Sequence, residues 1–396
     1  MITAIIAEYN PLTNGHILHM EKARRETDAD TIMCVMSGSF SERGDSCIAD
    51  KYRRAQSSCQ NGADIVIELP TLYAISPADY FAYGAIKTLK DIREVKYLSF
   101  GSECGNVEML EKTADILTNE PEELSEKIKS RLQSGASYPR ARSEAFDEYV
   151  SAYPETSMLK GILDGPNNVL GIAYITAIRK FNADITPHTV KREGGLYNDS
   201  EINTDFPSAS AIRQALYDGR ITELKDSVPK ETLSILETYR GSENSLGDMI
   251  LFKIKKISGY ELAKYHDFTE GLHNRFKICA ETSSNYKEFL EKVKTKKYTM
   301  ARIKRLCLNV LFDITEEYFQ KSILLPPYQH VLALRKDRTD ILSTLSYLPN
   351  FMIRYSDIDK KVDKSIRPLI KLDRESQGLL SIINKDSELI RSMILV

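Results

Sequence analysis

EYNPLTNGH, residues 8–16, cuts off an apolar, β-branched run, TAIIAE at 3–8, and leads directly into the amphipathic stretch ILHMEKARRE. This interruption decides the fold. A strand ending at Asn10 and Pro11, with Gly15 permitting a tight turn, hands the chain to a helix whose opening turns carry His16 and His19. Three residues apart, the two rings share one helical face. They sit beside the amide N–H groups that a helix N-terminus leaves without internal partners. Where such a turn follows the carboxyl end of a parallel strand, amides and helix dipole favour negative charge, and phosphate is the usual occupant. Two histidines there suggest charge stabilisation at a phosphorus atom. A surface histidine pair or half of a metal site would show the same spacing, but no third Cys, His or carboxylate stands nearby at matched spacing.

Outward from this stretch the pattern repeats. TIMCVM (31–36), ADIVIELP (63–70) and VKYLSF (95–100) read as strands, separated by the helical stretches DKYRRAQSS and PADYFAYGAIKTLKDI. The runs are apolar throughout rather than alternating, as strands covered on both faces should be. A long charged helical stretch from 107, then GPNNVLGIAYITAIRKF as turn plus helix and DITPHTVKR as a strand, complete an α/β unit with a parallel sheet. From about 225 the apolar period becomes 3.6, in ETLSILETYR, SLGDMILFKIKKI, NYKEFLEKVKTKKYT, MARIKRLCLNVLFDI and TDILSTLSYL. At 396 residues the chain exceeds one ordinary core. The expected division is an α/β domain with a parallel sheet at 1–225 and a mainly α-helical domain at 226–396.

Composition excludes several classes. With 42% hydrophobic and 28% charged residues the chain is neither disordered nor low in complexity. No stretch approaches the roughly 20 apolar residues of a membrane span, and no leader pattern opens the chain, so a cytoplasmic protein without membrane contact is expected. The six cysteines form no C-x-x-C pair, which argues against a zinc site or a disulfide framework. Net charge is only -2, yet 251–310 holds 14 Lys and Arg against 6 Asp and Glu. Within it KTKKYTMARIKR places Lys294, Lys296, Lys297, Arg302, Lys304 and Arg305 over about three helical turns, with Tyr298 among them. Such a strip suits an RNA backbone, although solvated helix faces share its composition. Arg275 is assigned to the same RNA face or to the interdomain seam.

T-N-G-H at 13–16 resembles the first signature of the HIGH nucleotidyltransferase superfamily, and P-S-A-S-A-I-R at 207–213 resembles its second. Along nearly its whole length the chain is similar to the bacterial tRNA(Met) cytidine acetate ligases, through EYNPLTNGH, MSGSFSERGD (36–45), GADIVIELP (62–70), FGSECG (100–105), GPNNVLGIAYI (165–175), SASAIR (208–213), EGLHNRF (270–276) and KTKKYTMARIKR (294–305). The resemblance implies a Rossmann-like ATP-binding domain that activates acetate as acetyl-adenylate, releases pyrophosphate, and passes the acetyl group to N4 of the wobble cytidine of elongator tRNA(Met). It also implies an ATP loop from Ile6 to His19, including Ala7, Glu8, Tyr9, Asn10, Pro11 and Gly15. Further ATP contacts are implied at Gly101, Asn167 or Asn168, and Lys191 or Arg192, with Asn168 and Arg192 preferred.

Adenylation is in-line attack at the α-phosphorus, so the protein's part is positioning and charge neutralisation. His16 is assigned to the α-phosphate and His19 to a second phosphate contact. Ser208, Ser210 and Arg213, at a helix start, would hold the departing pyrophosphate. Magnesium is expected as the counterion of ATP, with few protein ligands. Thr13 stands where the family usually has a histidine, and a hydroxyl donates one hydrogen bond but carries no charge. Two rival readings share these residues: a small-molecule adenylyltransferase of cofactor synthesis, which needs no basic helical domain, and an RNA-binding module that has lost catalysis.

Overall fold

The computed structural model of the chain describes residues 1–192, 206–241, 243–386 and 392–396. The apolar runs of the first half form parallel strands β1 (Ile2–Ala7), β2 (Thr31–Ser37), β3 (Ile65–Leu69), β4 (Val95–Ser102) and β5 (Thr186–Lys191), in the sheet order β5-β4-β1-β2-β3. Every residue of β2 and β3 is buried, which is why neither alternates. Helices α1 (Asn14–Glu26) and α2 (Lys51–Gln60) make the crossovers from β1 to β2 and from β2 to β3. The chain then returns to the other side of β1 with β4, so the strand order reverses between β1 and β4. Open α/β sheets bind their ligands at the carboxyl ends of the strands flanking such a reversal.

The second half is mainly helical, as its period predicts, with helices including Glu243–Lys256, Leu272–Glu281, Tyr286–Val293, Met300–Leu311 and Arg367–Asn384. It departs from expectation after residue 325. Gln329–Leu334 is a fully buried strand, β6, antiparallel to β3 with Ile65 opposite Leu334. Two short strands, β7 (Phe351–Met352) and β8 (Ile394–Leu395), pair with β6 in parallel. TDILSTLSYL yields only a short helix, Asp340–Thr344. We keep the division into 1–225 and 226–396 as a proposal about folding units, but the sheet itself crosses it.

Charge as well as backbone joins β6 to the sheet. Glu68 of β3 and Lys51 of α2 form an ion pair with neither side chain exposed. Glu68 Oε2 lies 2.6 Å from His330 Nδ1 on β6, and Lys51 Nζ donates to the Tyr355 hydroxyl at 2.7 Å. Burial alone would raise the Glu68 carboxyl, but Lys51 and His330 hold it below the usual carboxylate range. One continuous apolar core runs from Ala4, Ile67 and Leu98 of the sheet to Leu306, Leu369 and Ile370 of the helical half.

Candidate active site

Thr13, which is buried, caps α1. His16 is the third residue of that helix, and its Nδ1 accepts the Thr13 backbone N–H at 3.0 Å, with Thr13 Oγ1 3.1 Å from the same nitrogen. An Nδ1 that accepts a backbone N–H is unprotonated, so the neutral ring carries its proton on Nε2 and offers a donor. Thr13 therefore orients the histidine, where the sequence suggested a phosphate contact of its own. Gly15 also differs from expectation: it lies inside the first turn of the helix, not in a turn before it, and has no positive φ. His16 and Ile17 return their N–H groups to Thr13 O, and Asn14 donates its own to Ser227 O. Among the described residues that leaves Gly15 N–H as the first-turn amide with no acceptor.

Above this helix end opens a cleft of about 250 Å³, at the crevice between β1 and β4. Ile6, Ala7, Glu8, Tyr9, Asn10, Gly15, His16 and His19 all line it, as do Gly101 at the end of β4 and Lys191 and Arg192 at the end of β5. Pro11, joined to Asn10 by a cis peptide, is buried behind them. Of the asparagine pair, Asn167 lines the cleft and accepts from Arg192 Nη1 at 3.2 Å. Asn168 is buried and spends its amide on the backbone: its oxygen accepts from Glu103 N and Cys104 N, and its nitrogen donates to Ile162 O. The preference for Asn168 is thus reversed, because its side chain ties two loops together and Asn167 faces the cleft.

The second signature arrives from the far side. Ser208 caps helix Ala209–Tyr217, accepting Ala211 N at 3.0 Å. Arg213 donates through Nη1 to Asn10 O at 2.6 Å and through Nη2 to Ser210 Oγ at 3.1 Å, so one guanidinium ties the two signatures together. Ser210 orients Arg213, and Phe206 covers Gly15, its Cβ 3.7 Å from where a Gly15 Cβ would stand.

Sequence reasoning used the loop after β2 only as a matching segment, MSGSFSERGD, and assigned no site residue in it. Glu42 N donates to Glu8 Oε1 at 2.7 Å, and Glu42 and Arg43 line the cleft. The signal was available, because β2 lies next to β1 and its following loop must reach the same sheet edge. Glu103 was passed over as well; its two carboxylate oxygens accept Asn167 N and Asn168 N, capping the helix Pro166–Lys180.

Five cations, Lys22, Arg43, Lys191, Arg192 and Arg213, line the cleft against the carboxylates Glu8 and Glu42. Burial, then Arg192 and His19, lower His16 to about 3, and burial, then His188 and Arg192, lower His19 to about 4. Burial also raises the Glu8 carboxyl, opposed by the Glu42 N–H and Arg213. Such an excess of cations suits a polyanion. Asn10 supports this, since its buried Nδ2 has no partner. Among the described residues no three His, Cys, Asp or Glu side chains are grouped as a metal site.

The basic stretch is no single helical strip. Lys294, Lys296 and Lys297 lie on the loop between Val293 and Met300, because Lys294 ends one helix and Thr299 caps the next. Arg302 is paired with Asp267 at 2.8 Å and Lys297 with Glu270 at 2.8 Å. Arg275 donates to Val293 O and Lys292 O inside the helical half. Lys304 and Arg305 reach the cleft loop: Lys304 pairs with Asp45, and Arg305 with Glu42 at 2.8 Å. Arg275, Lys297, Arg302, Lys304 and Arg305 are therefore occupied by protein partners, and Lys294 donates to Tyr298 O at 2.7 Å; Lys296 is exposed on the loop.

The described residues contain no helix long and apolar enough to cross a membrane. Comparison with known proteins agrees with the geometry. Residues 1–392 match the model of the HIGH nucleotidyl transferase family. A tRNA(Met) cytidine acetate ligase of Clostridium novyi is 36% identical over 97% of this chain and 96% of its own length. The apo crystal structure of Thermotoga maritima TmcAL superposes with a TM-score of 0.92, at 32% identity over 100% of this chain and 99% of that one. The same protein bound with alpha-thio ATP gives 0.89 over 100% of both chains. With both signatures meeting at one cationic cleft and similarity along its whole length, the chain belongs to the tRNA(Met) cytidine acetate ligase family of HIGH nucleotidyltransferases.

Proposed function

We propose that the chain is an ATP-dependent ligase that joins acetate to N4 of the wobble cytidine of elongator tRNA(Met), through acetyl-adenylate. One observation carries the reading: Arg213 of the second signature closes on Asn10 of the first, beside a neutral His16. In the first step an acetate oxygen attacks the α-phosphorus and the bond to the β-phosphate breaks, releasing pyrophosphate. His16 Nε2–H and Gly15 N–H would donate to the α-phosphate, where charge builds up. Arg213, oriented by Ser210, and Arg192, oriented by Asn167, would neutralise the departing pyrophosphate. In the second step the cytidine amine attacks the acetyl carbonyl, loses a proton, and displaces AMP.

Glu42 is committed to Arg305, and Glu8 accepts the Glu42 N–H, so among the described residues the cleft offers magnesium no ready protein ligands. Any magnesium is assigned to phosphate oxygens and water, and no step depends on it here. The RNA face we place on the exposed loop Lys294, Lys296 and Lys297, whose surface pairs exchange readily for phosphates. A cytoplasmic location fits a tRNA substrate. The test is acetate-dependent exchange of labelled pyrophosphate into ATP, followed by mass spectrometry of nucleoside 34 after tRNA(Met) is added. Exchange and an acetylated cytidine are expected, and His16→Ala should lower the rate by about 100-fold. An adenylylated small cofactor as product would instead establish the adenylyltransferase reading.

A further inference from the structure

His19 is tied to groups that lead away from the cleft. Its Nε2 lies 3.0 Å from Ser99 Oγ, Ser99 Oγ lies 3.0 Å from His188 Nδ1, and His188 Nε2 lies 3.3 Å from Glu26 Oε2. The fold sets up this alignment. His19 and Glu26 are both on α1, about two turns apart on one face and about 10 Å apart along its axis. Ser99 of β4 and His188 of β5 are register partners in the neighbouring sheet. Ser99 is fully buried, whereas the side chains of His188 and Glu26 are 19% and 39% exposed, so the chain of contacts runs from the cleft to the surface.

Hydrogen-bond chemistry gives the chain a direction. An ionised carboxylate only accepts, so His188 donates from Nε2 to Glu26 and its Nδ1 is left as an acceptor. The single hydroxyl proton of Ser99 goes to that Nδ1, and the Ser99 oxygen accepts from His19 Nε2–H. His19 then has Nδ1 as its acceptor, while His16, whose Nδ1 takes the Thr13 N–H, has Nε2–H as its donor. Both rings are thus Nε2–H tautomers, but His16 has its donor left to offer and His19 its acceptor.

We propose that Ser99, His188 and Glu26 are positioning residues that hold His19 as its Nε2–H tautomer, so that Nδ1 takes up one proton from water as the nucleotide's phosphates enter. The ring becomes an imidazolium, its Nε2–H stays on Ser99, and no bond to phosphorus forms at His19. The proposal rests on reading the cleft as a nucleotide site. Without phosphates, burial together with His188, Arg192 and Lys22 disfavours the charged ring, so the tautomer determines what His19 offers. Arg25, which donates to the other Glu26 oxygen at 3.1 Å, is the further charge at the outer end.

The test uses the full chain with ¹⁵N-labelled histidine, reading the His19 tautomer by imidazole NMR alongside kcat and KM for ATP in acetate-dependent pyrophosphate exchange. Substitutions are made at the partly exposed outer end, where folding is least at risk. His188→Leu is expected to leave His19 as a mixture of tautomers and to lower kcat about tenfold with KM for ATP little changed. His188→Gln, which keeps an acceptor toward Ser99 and a donor toward Glu26, should restore both readouts in large part. Glu26→Gln, whose amide can donate as well as accept, should loosen the tautomer. An unchanged Nε2–H tautomer in His188→Leu, or equal losses in the Leu and Gln variants, would overturn the relay. If the unsubstituted protein shows no exchange, the ligase reading fails, and the NMR measurement alone decides the relay.

Discussion

Gly15 separates the demands of fold and of function within one residue. A Cβ there would meet Phe206 Cβ and Thr13 Oγ1 at 3.7 Å, ordinary contact distances, so the protein itself accepts alanine. Glycine in a helix costs up to about 1 kcal/mol relative to alanine. Gly15→Ala should therefore leave thermal stability equal or slightly higher while raising KM for ATP, as calorimetry and exchange kinetics on one preparation would show. His16 makes a pH prediction. An ordinary histidine titrates near 6.5 and His16 is held near 3, so across that interval the unfolded chain binds a proton that the fold does not. Its contribution to stability is lost as pH falls from about 6.5 toward 3. Incoming phosphates favour the charged form of the neighbouring His19, whose Nδ1, unlike that of His16, is left to accept a proton, so ATP binding near pH 6 should take up protons; the heat of binding would then depend on the buffer's ionisation enthalpy, and a buffer-independent heat would refute it. At this scale the signatures made His16, His19 and Arg213 legible, because their spacing is local. Which of Asn167 and Asn168 faces the cleft depends on Glu103 N and Cys104 N, more than sixty residues away in sequence.

The loop after β2 and the helix Met300–Leu311 behave as one device. Arg305 and Lys304 hold Glu42 and Asp45, and Arg43, between them in sequence, lines the cleft. Arg305→Ala leaves Glu42 in a poorly solvated position without its partner, at a cost of about 2 kcal/mol. It should also raise KM for ATP. Reversing Lys296 to Glu should leave ATP kinetics alone and weaken tRNA binding with a reduced salt slope, measured by filter binding across a salt series. The opposite pattern, Arg305→Ala changing only tRNA affinity, would restore the continuous strip read from the sequence. That strip was misread because a run of like charges does not reveal carboxylates that fold onto it from 260 positions earlier. The strands β1, β2 and β3 were legible for the opposite reason: doubly covered strands are apolar in themselves, whatever their partners.

At the scale of the molecule, β6 decides how far the first half can stand alone. A fragment of residues 1–225 would expose the edge of β3 and leave Glu68 and Lys51 without His330 and Tyr355. Unpaired edges and uncompensated buried charge both favour aggregation or unfolding. The fragment should show no cooperative thermal transition, whereas the whole chain should; a cooperative fragment would support the division near 225 as one between independent units. HVLAL was absorbed into the helical half because a short apolar run between helices is ambiguous in period, and its pairing with β3 is not local. That pairing has a consequence for how the protein is made. Glu68 and His330 are 262 residues apart, so a ribosome adding 5–20 residues per second takes about 13–50 s to deliver the partner strand after β3 has emerged. For the later part of that interval, once β5 and the helix Ala209–Tyr217 have emerged, the nascent chain carries a nearly complete nucleotide fold with one raw edge, and its safe delivery depends on how quickly translation, or a chaperone, closes it.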